Sequence, residues 1–154
     1  MRIDTNNYYI IDTLGKHNLN GDILMGDFLL NEYDEFLSYA KEQLTHPAPK
    51  AYTYEIRSKD NKTKAVVFFK IISMLNEYKL ASLHLISDDE TSLIEGMEAL
   101  LEYQILTNSM IKITANPSDE KVQFILEQLG FVLNKKDDLN CEYKITKPIY
   151  LKGR

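Results

Sequence analysis

Apolar and polar residues alternate from Ala51 to Arg57 (AYTYEIR), the period-two signature of a half-buried strand. Ser58 to Lys62 (SKDNK) turns the chain, and the denser apolar run Ala65 to Ile72 predicts a second, more buried strand paired with the first as a hairpin. Tyr78 to Ser87 (YKLASLHLIS) predicts a third. Before these, Tyr8 to Leu14 reads as a strand rich in aromatic and β-branched residues, and Gly15 to Gly21 reads as a turn. From Leu24 to Leu44, apolar residues such as Phe28, Tyr33, Phe36 and Leu37 recur at three- and four-residue spacing. That stripe predicts one long helix, or two with a bend. His46-Pro47-Ala48-Pro49 ends it, because a residue before proline is pushed out of the α region.

The second half alternates helix and strand. Asp88 to Thr91 reads as a polar loop, and Ser92 lies three residues before Glu95, a capping-box spacing. Leu93, Met97, Leu100, Leu101 and Ile105 then form a helical stripe. Met110 to Ala115 predicts a short strand. Asn116-Pro117 predicts the next helix start, with asparagine as cap, proline at the first helical position and Asp119 in the first turn. Val122, Ile125, Leu126 and Leu129 are its buried stripe, and Gly130 closes it by taking positive φ before Phe131. Phe131–Leu133 and Glu142–Ile145 read as a strand pair, and Ile149 to Arg154 as a tail or a last strand extension. The order is β-α(α)-β-β-β-α-β-α-β-β. It predicts an α/β chain, a single domain over 1–154, with a mixed sheet covered by helices on both faces.

Composition narrows the functions open to such a fold. With 154 residues the chain is long enough to bury roughly 70% of its unfolded surface. A net charge of −5 argues against a nucleic-acid partner. No apolar run approaches the ~20 residues of a membrane span, so no membrane partner is expected. A lone cysteine, Cys141, cannot form an internal disulfide, and the polar N-terminus has no signal-peptide core. A bacterial cytoplasm is the expected location.

The element order, together with Asn116 to Phe131 (NPSDEKVQFILEQLGF) and its Leu129-Gly130-Phe131 ending, resembles the GNAT superfamily of N-acetyltransferases. The resemblance covers nearly the whole chain and implies the GNAT-like acyl-CoA N-acyltransferase fold. It also implies acetyl-CoA as cosubstrate and a small amine or peptide amine as acceptor. In such folds the pantetheine arm pairs with the backbone of a strand that splays from its neighbour, here near Leu85 and Ile86. The pyrophosphate takes the N–H groups that open the next helix, here Ser92, Leu93 and Ile94, and Asp119 matches a polar position often filled by asparagine. A helix N-terminus suits an anion because its first N–H groups lack intrahelical partners.

The chain departs from the family pattern in two places. Asp88 to Met97 (DDETSLIEGM) has one glycine, Gly96, and no arginine or lysine, whereas the family loop is glycine-rich and begins with arginine or glutamine. Like charges ~4 Å apart repel by up to about 4 kcal/mol at an effective dielectric near 20, so Asp88, Asp89, Glu90 and Glu95 oppose a phosphate. Lys62, Lys64 and Lys79 are the candidate compensating cations. Where many members have an acid tyrosine, this chain has Leu126.

Of His17, His46 and His84, none has metal-ligand spacing, and no metal is expected. His84 lies in the predicted cleft strand as a candidate general base, with a pKa near the working pH. Tyr54, on one strand face with Tyr52, is the second candidate catalytic residue. Two readings stay open: an acetyl-CoA-dependent N-acetyltransferase, or a degenerate relative that keeps the scaffold, loses the cofactor and acts as a binding or regulatory module. A homodimer is the assembly considered.

Overall fold

The strand-forming runs join into one mixed sheet. The computed structural model describes residues 1–12, 28–29, 51–87, 89–137 and 140–153. The strands are β1 (Arg2–Asp4), β2 (Tyr8–Asp12), β3 (Phe28–Leu29), β4 (Ala51–Ser58), β5 (Thr63–Leu75), β6 (Tyr78–Ser87), β7 (Met110–Ala115), β8 (Val132–Lys136) and β9 (Cys141–Thr146). Their spatial order is β1-β2-β4-β5-β6-β7-β9-β8, with β3 paired to β6 off that path. Every pair is antiparallel except β6–β7. Within the helix predicted from Leu24 to Leu44, Phe28 and Leu29 are instead a strand, because the free edge of β6 takes their backbone groups into a ladder. The rest of that helix, the turn at Gly15–Gly21, the stop at His46–Pro49, and His17 and His46 lie outside the described residues.

The expected alternation decides which side chains meet. Tyr54 and Ile56 of β4, Val67 and Phe69 of β5, and Leu83 and Leu85 of β6 share one face and enter a single core cluster. Helix α1 (Glu90–Glu102), which continues as a π-helical turn (Tyr103–Thr107), contributes Leu93, Met97 and Leu100 to it. Helix α2 (Glu120–Gln128) contributes Val122, Ile125 and Leu126. Thr53, Val66, Phe68 and Ile86, on the other face of the same strands, are buried as well. At the far end of the β5–β6 hairpin, Ile72, Met74, Leu75 and Tyr78 remain exposed.

The α2 terminus follows its sequence signals. Gly130 takes φ +97°, the Gly130 N–H donates to the Glu127 carbonyl, and the Phe131 N–H donates to the Leu126 carbonyl. Those two bonds are the Schellman pair, and Phe131 is buried beyond them. Other boundaries shift. The cap of α2 is Asp119, whose carboxylate accepts from the Val122 N–H at 2.9 Å, not Asn116 with Pro117 as first helical residue. An aspartate three residues nearer the stripe satisfies the helix donors directly. The C-terminal residues form helix α3 (Lys147–Lys152) rather than a strand extension or a tail, with Thr146 as cap and Pro148 in the first turn.

Helix α1 sits unusually close to the sheet. A Cβ placed on Gly96 would lie 2.5 to 2.8 Å from three side-chain atoms of fully buried Ile56. Gly96 is therefore the contact point between α1 and β4. Gly96→Ala would recover up to about 1 kcal/mol of helix propensity. The overpacking costs about 1–3 kcal/mol and falls at the upper end, because the clash involves three atoms of a β-branched core residue. The expected result is a net loss of about 1–2 kcal/mol, or roughly 2–8 °C in Tm by thermal unfolding. The variant Ile56→Ala/Gly96→Ala should lose less than the sum of its single changes, because the clash is gone.

Candidate active site

Helix α1 begins where β6 ends, and at that junction the sheet opens. The parallel β6–β7 ladder runs Lys79↔Met110, Leu80↔Lys112, Ala81↔Ile113 and Ser82↔Thr114, and then stops. Ile111 has no opposite residue, a bulge that increases local twist. β5 stays paired with β6 as far as Ser87, so it is β7 that diverges. Leu83 to Ser87 thus present a strand edge that β7 has left. Leu85 and Ile86, the residues expected to hold a thioester arm, lie on this stretch. Part of it is taken: β3 pairs antiparallel with β6 there, Phe28 opposite Ser87 and Leu29 opposite Ile86.

The opening of α1 differs from the expected capping box. Asp89 is the N-cap, and its Oδ1 accepts from the Thr91 N–H at 3.0 Å and the Ser92 N–H at 3.4 Å. The Leu93 N–H donates to the Asp89 carbonyl, which is the first intrahelical bond. The donors of the first turn are therefore those of residues 90–92. Leu93 is already inside the helical ladder and Ile94 lies one position further in. Ser92 is a buried residue within the helix whose hydroxyl donates to the Asp89 carbonyl.

Glu95 does not reach back to a cap. Its carboxylate accepts hydrogen bonds from the Thr5 hydroxyl and from the backbone and side-chain nitrogens of Asn7, each nitrogen at 2.9 Å. Burial would raise this carboxyl, but the bonds from Thr5 and Asn7 outweigh it and hold the pKa below its ordinary value. Nearby, burial raises the Tyr8 hydroxyl, with the negative charges of Asp89 and Glu95 adding to the shift.

The candidate cations divide by position. Lys79 is at the other end of β6, where its Nζ donates to the Asn108 carbonyl at 2.8 Å. Lys62 is exposed and lies 3.8 Å from Asp60. The Lys64 carbonyl accepts from the Ser87 hydroxyl at 2.9 Å, so Lys64 is the lysine whose backbone adjoins the opening of α1.

The two candidate catalytic residues are not brought together. His84 pairs with Phe68 across the β5–β6 ladder and projects to the face opposite Leu83 and Leu85, with its Nε2 2.8 Å from the Ser82 hydroxyl. Burial, helped by the Lys70 charge, pushes its pKa down to about 4, well below the expected near-neutral value. Tyr54 is in the core on the helix-covered face, two strands from the splayed edge of β6, and meets Phe69 edge-on at 6.0 Å. Burial raises its hydroxyl pKa strongly, so it is neither exposed nor easily ionised. Leu126 is fully buried, as its stripe requires. Asp119, the cap of α2, has one carboxylate oxygen on the Val122 N–H. A groove of about 620 Å³, lined by Glu98, Gln128, Leu129, Val132, Ile149 and Tyr150 among others, lies towards the C-terminal end of α2 and away from the splay.

Comparison with solved structures places this architecture. The ribosomal-protein-S5-alanine acetyltransferase of Vibrio fischeri superposes with a TM-score of 0.70 at 11% identity, over 96% of this chain and 97% of that one. A GNAT-family acetyltransferase of Bacillus anthracis gives 0.63 at 11%, over 96% and 99%. A variant of the spermidine N-acetyltransferase SpeG of Vibrio cholerae gives 0.67 at 13%, over 96% and 98%. No family model matches the sequence, and no curated protein matches it either. The chain has the fold of the GNAT acetyltransferases, the acyl-CoA N-acyltransferase fold.

The position of His84 has a pH consequence. Its pKa is about 4 in the folded chain against an ordinary 6.5. Between those values the unfolded chain binds a proton that the folded chain refuses. This group therefore makes stability rise with pH across that window and leaves it level above. Urea unfolding of His84→Asn should show a shallower rise from pH 4 to pH 6.5 than the parent. Equal slopes would contradict a half-buried imidazole held neutral.

Proposed function

We propose that this chain is an N-acetyltransferase that moves the acetyl group of acetyl-CoA to a small amine or peptide amine. The observation that carries the reading is the divergence of β7 from β6 after Ser82 and Thr114, at a point that leads directly to the N-terminus of α1. A split in a sheet gives an extended, amide-bearing ligand a backbone edge to pair with, and a helix N-terminus gives a phosphate its donors. The fold likeness to enzymes named for an S5-alanine and for spermidine supports an amine acceptor.

The chemistry needs little from side chains. The thioester supplies the activated acetyl group, so the chain has to align it with a neutral amine and exclude water. Positioning of that kind supplies several kcal/mol. A base with a pKa near 4 accepts a proton poorly at neutral pH, so His84 is assigned a minor role, through water. Accordingly, His84→Ala should lower kcat/KM by less than about 10-fold, where loss of a well-tuned base costs about 10² or more. A panel of amines assayed for release of the free CoA thiol measures this directly.

The specific observation that favours the second reading, a scaffold without cofactor, is the Asp89 cap, which puts a carboxylate on the N–H groups of Thr91 and Ser92. Thermal unfolding with and without acetyl-CoA separates the two. Cofactor at about a hundred times its Kd stabilises by ~2.7 kcal/mol. The expected rise is therefore roughly 5–11 °C. No shift at millimolar cofactor would favour the scaffold.

A further inference from the structure

The acetyltransferase reading places a cofactor at two features, and in the described structure groups of the chain itself engage both. The first is the edge of β6 released by β7. One edge of β6 is used by β5 along its length, through Ala65↔Ser87. Only the other edge is open beyond Ser82, and β3 pairs with it at Ile86 and Ser87, the end nearest α1. β3 also lies beside α2, the next helix along the same opening. A backbone edge accepts one partner at a time, because each N–H and C=O on it points at a single neighbour. An arm pairing with Ile86 and a strand pairing with Ile86 exclude each other.

The second feature is the start of α1. The Asp89 carboxylate is an anion held on the donors of Thr91 and Ser92, where a phosphate would be expected. Two anions on the same two N–H groups repel, and neither can share the hydrogen bonds fully. The two contacts are independent in sequence and in chemistry. One is a backbone ladder made by residues 28–29, and the other a side-chain cap made by residue 89. Both lie along the path from the splay to the helix.

We propose that the chain closes its own cofactor cleft: β3 and the Asp89 carboxylate stand in for the arm and the phosphate of coenzyme A, which binds only by displacing them. The inference rests on the acetyltransferase reading. In this arrangement the open form is a minor state, and apparent affinity is reduced by the fraction of open form. Anything that draws β3 away, such as a cofactor or acceptor, turns the chain on.

The experiment is calorimetric titration of coenzyme A into the parent chain, the Phe28→Pro/Leu29→Pro variant and the Asp89→Ser variant. Proline cannot donate to a ladder, so the first variant loses β3 pairing. Serine still caps a helix, so the second loses the charge and keeps the helix. Both variants should bind coenzyme A at least about tenfold more tightly than the parent. Unchanged affinity in folded variants, with the parent binding measurably, overturns the self-closure and leaves the acetyltransferase reading standing. No binding by the parent or either variant overturns that reading and this inference together.

Hydrogen exchange on the parent covers the case of a variant that fails to fold. When coenzyme A saturates the chain, the amide of β3 that donates to β6 should lose protection, Phe28 or Leu29 according to which of the two adjacent pairs is the hydrogen-bonded one. Protection that stays intact with cofactor bound overturns the proposal.

Discussion

The distance between α1 and the sheet governs the geometry at the cleft, and it is set where Gly96 passes over Ile56. With no side chain at Gly96, three carbons of Ile56 fill the space a Cβ would take. That contact lets α1 lie low on β4, and the same helix begins three residues after β6 ends. A helix held further off would carry its N-terminus away from the strand edge, and the donors of its first turn would no longer line up with the splay. Gly96, the one glycine of this segment, serves helix-to-sheet packing.

The acidic character of that segment follows from the same economy. Asp89 caps α1, and Glu95 clamps the turn between β1 and β2 through Thr5 and Asn7. A carboxylate at a helix start is stabilised by the donors and by the dipole, typically by about 0.3–1 kcal/mol in an exposed setting. These charges have structural partners in the described residues. In the proposed acetyltransferase, helix capping and cofactor binding compete for the same N–H groups, and the competition is local: Lys79, a candidate to relieve it, is bound to Asn108 at the opposite end of β6.

Much of this fold was legible in the chain, and the failures have identifiable causes. Period-two alternation located β4, a dense apolar run located β5, and Tyr78 to Ser87 read directly as β6. Gly130-Phe131 marked the end of α2, because only a positive φ completes its pair of terminal hydrogen bonds. Helix starts were harder. Asp89, Thr91 and Ser92 can all cap, and the spacing to Glu95 pointed to Ser92. Tertiary contacts drew Glu95 to Thr5 and Asn7 and left Asp89 as the cap. β1 is three residues of mostly polar sequence, too short for any period, and exists only because β2 offers it an edge. Thr146 followed by Lys147-Pro148 was a helix-start signal that a short C-terminal stretch did not make obvious. At the site, periodicity determined the face of His84 but not its burial, so its low pKa was out of reach. The position of Tyr54 depended on which face α1 would cover.

The splay itself is the feature that packing alone does not account for. A strand edge left open inside a sheet has backbone donors and acceptors that must find partners or remain in water. Continuing β7 alongside β6 past Ser82 would have met part of that need, yet Ala115, the last residue of β7, pairs with Tyr143 of β9 and not with β6. The chain instead turns β7 away and brings residues from a distant part of the sequence to cover two positions of the exposed edge. Such a substitution makes sense where the edge must be covered at some times and free at others. A permanent ladder would serve stability better, and a permanently bare edge would invite pairing with other chains. β3 covers only Ile86 and Ser87 of that edge, a partial and replaceable cover of the kind the proposed self-closing cleft requires.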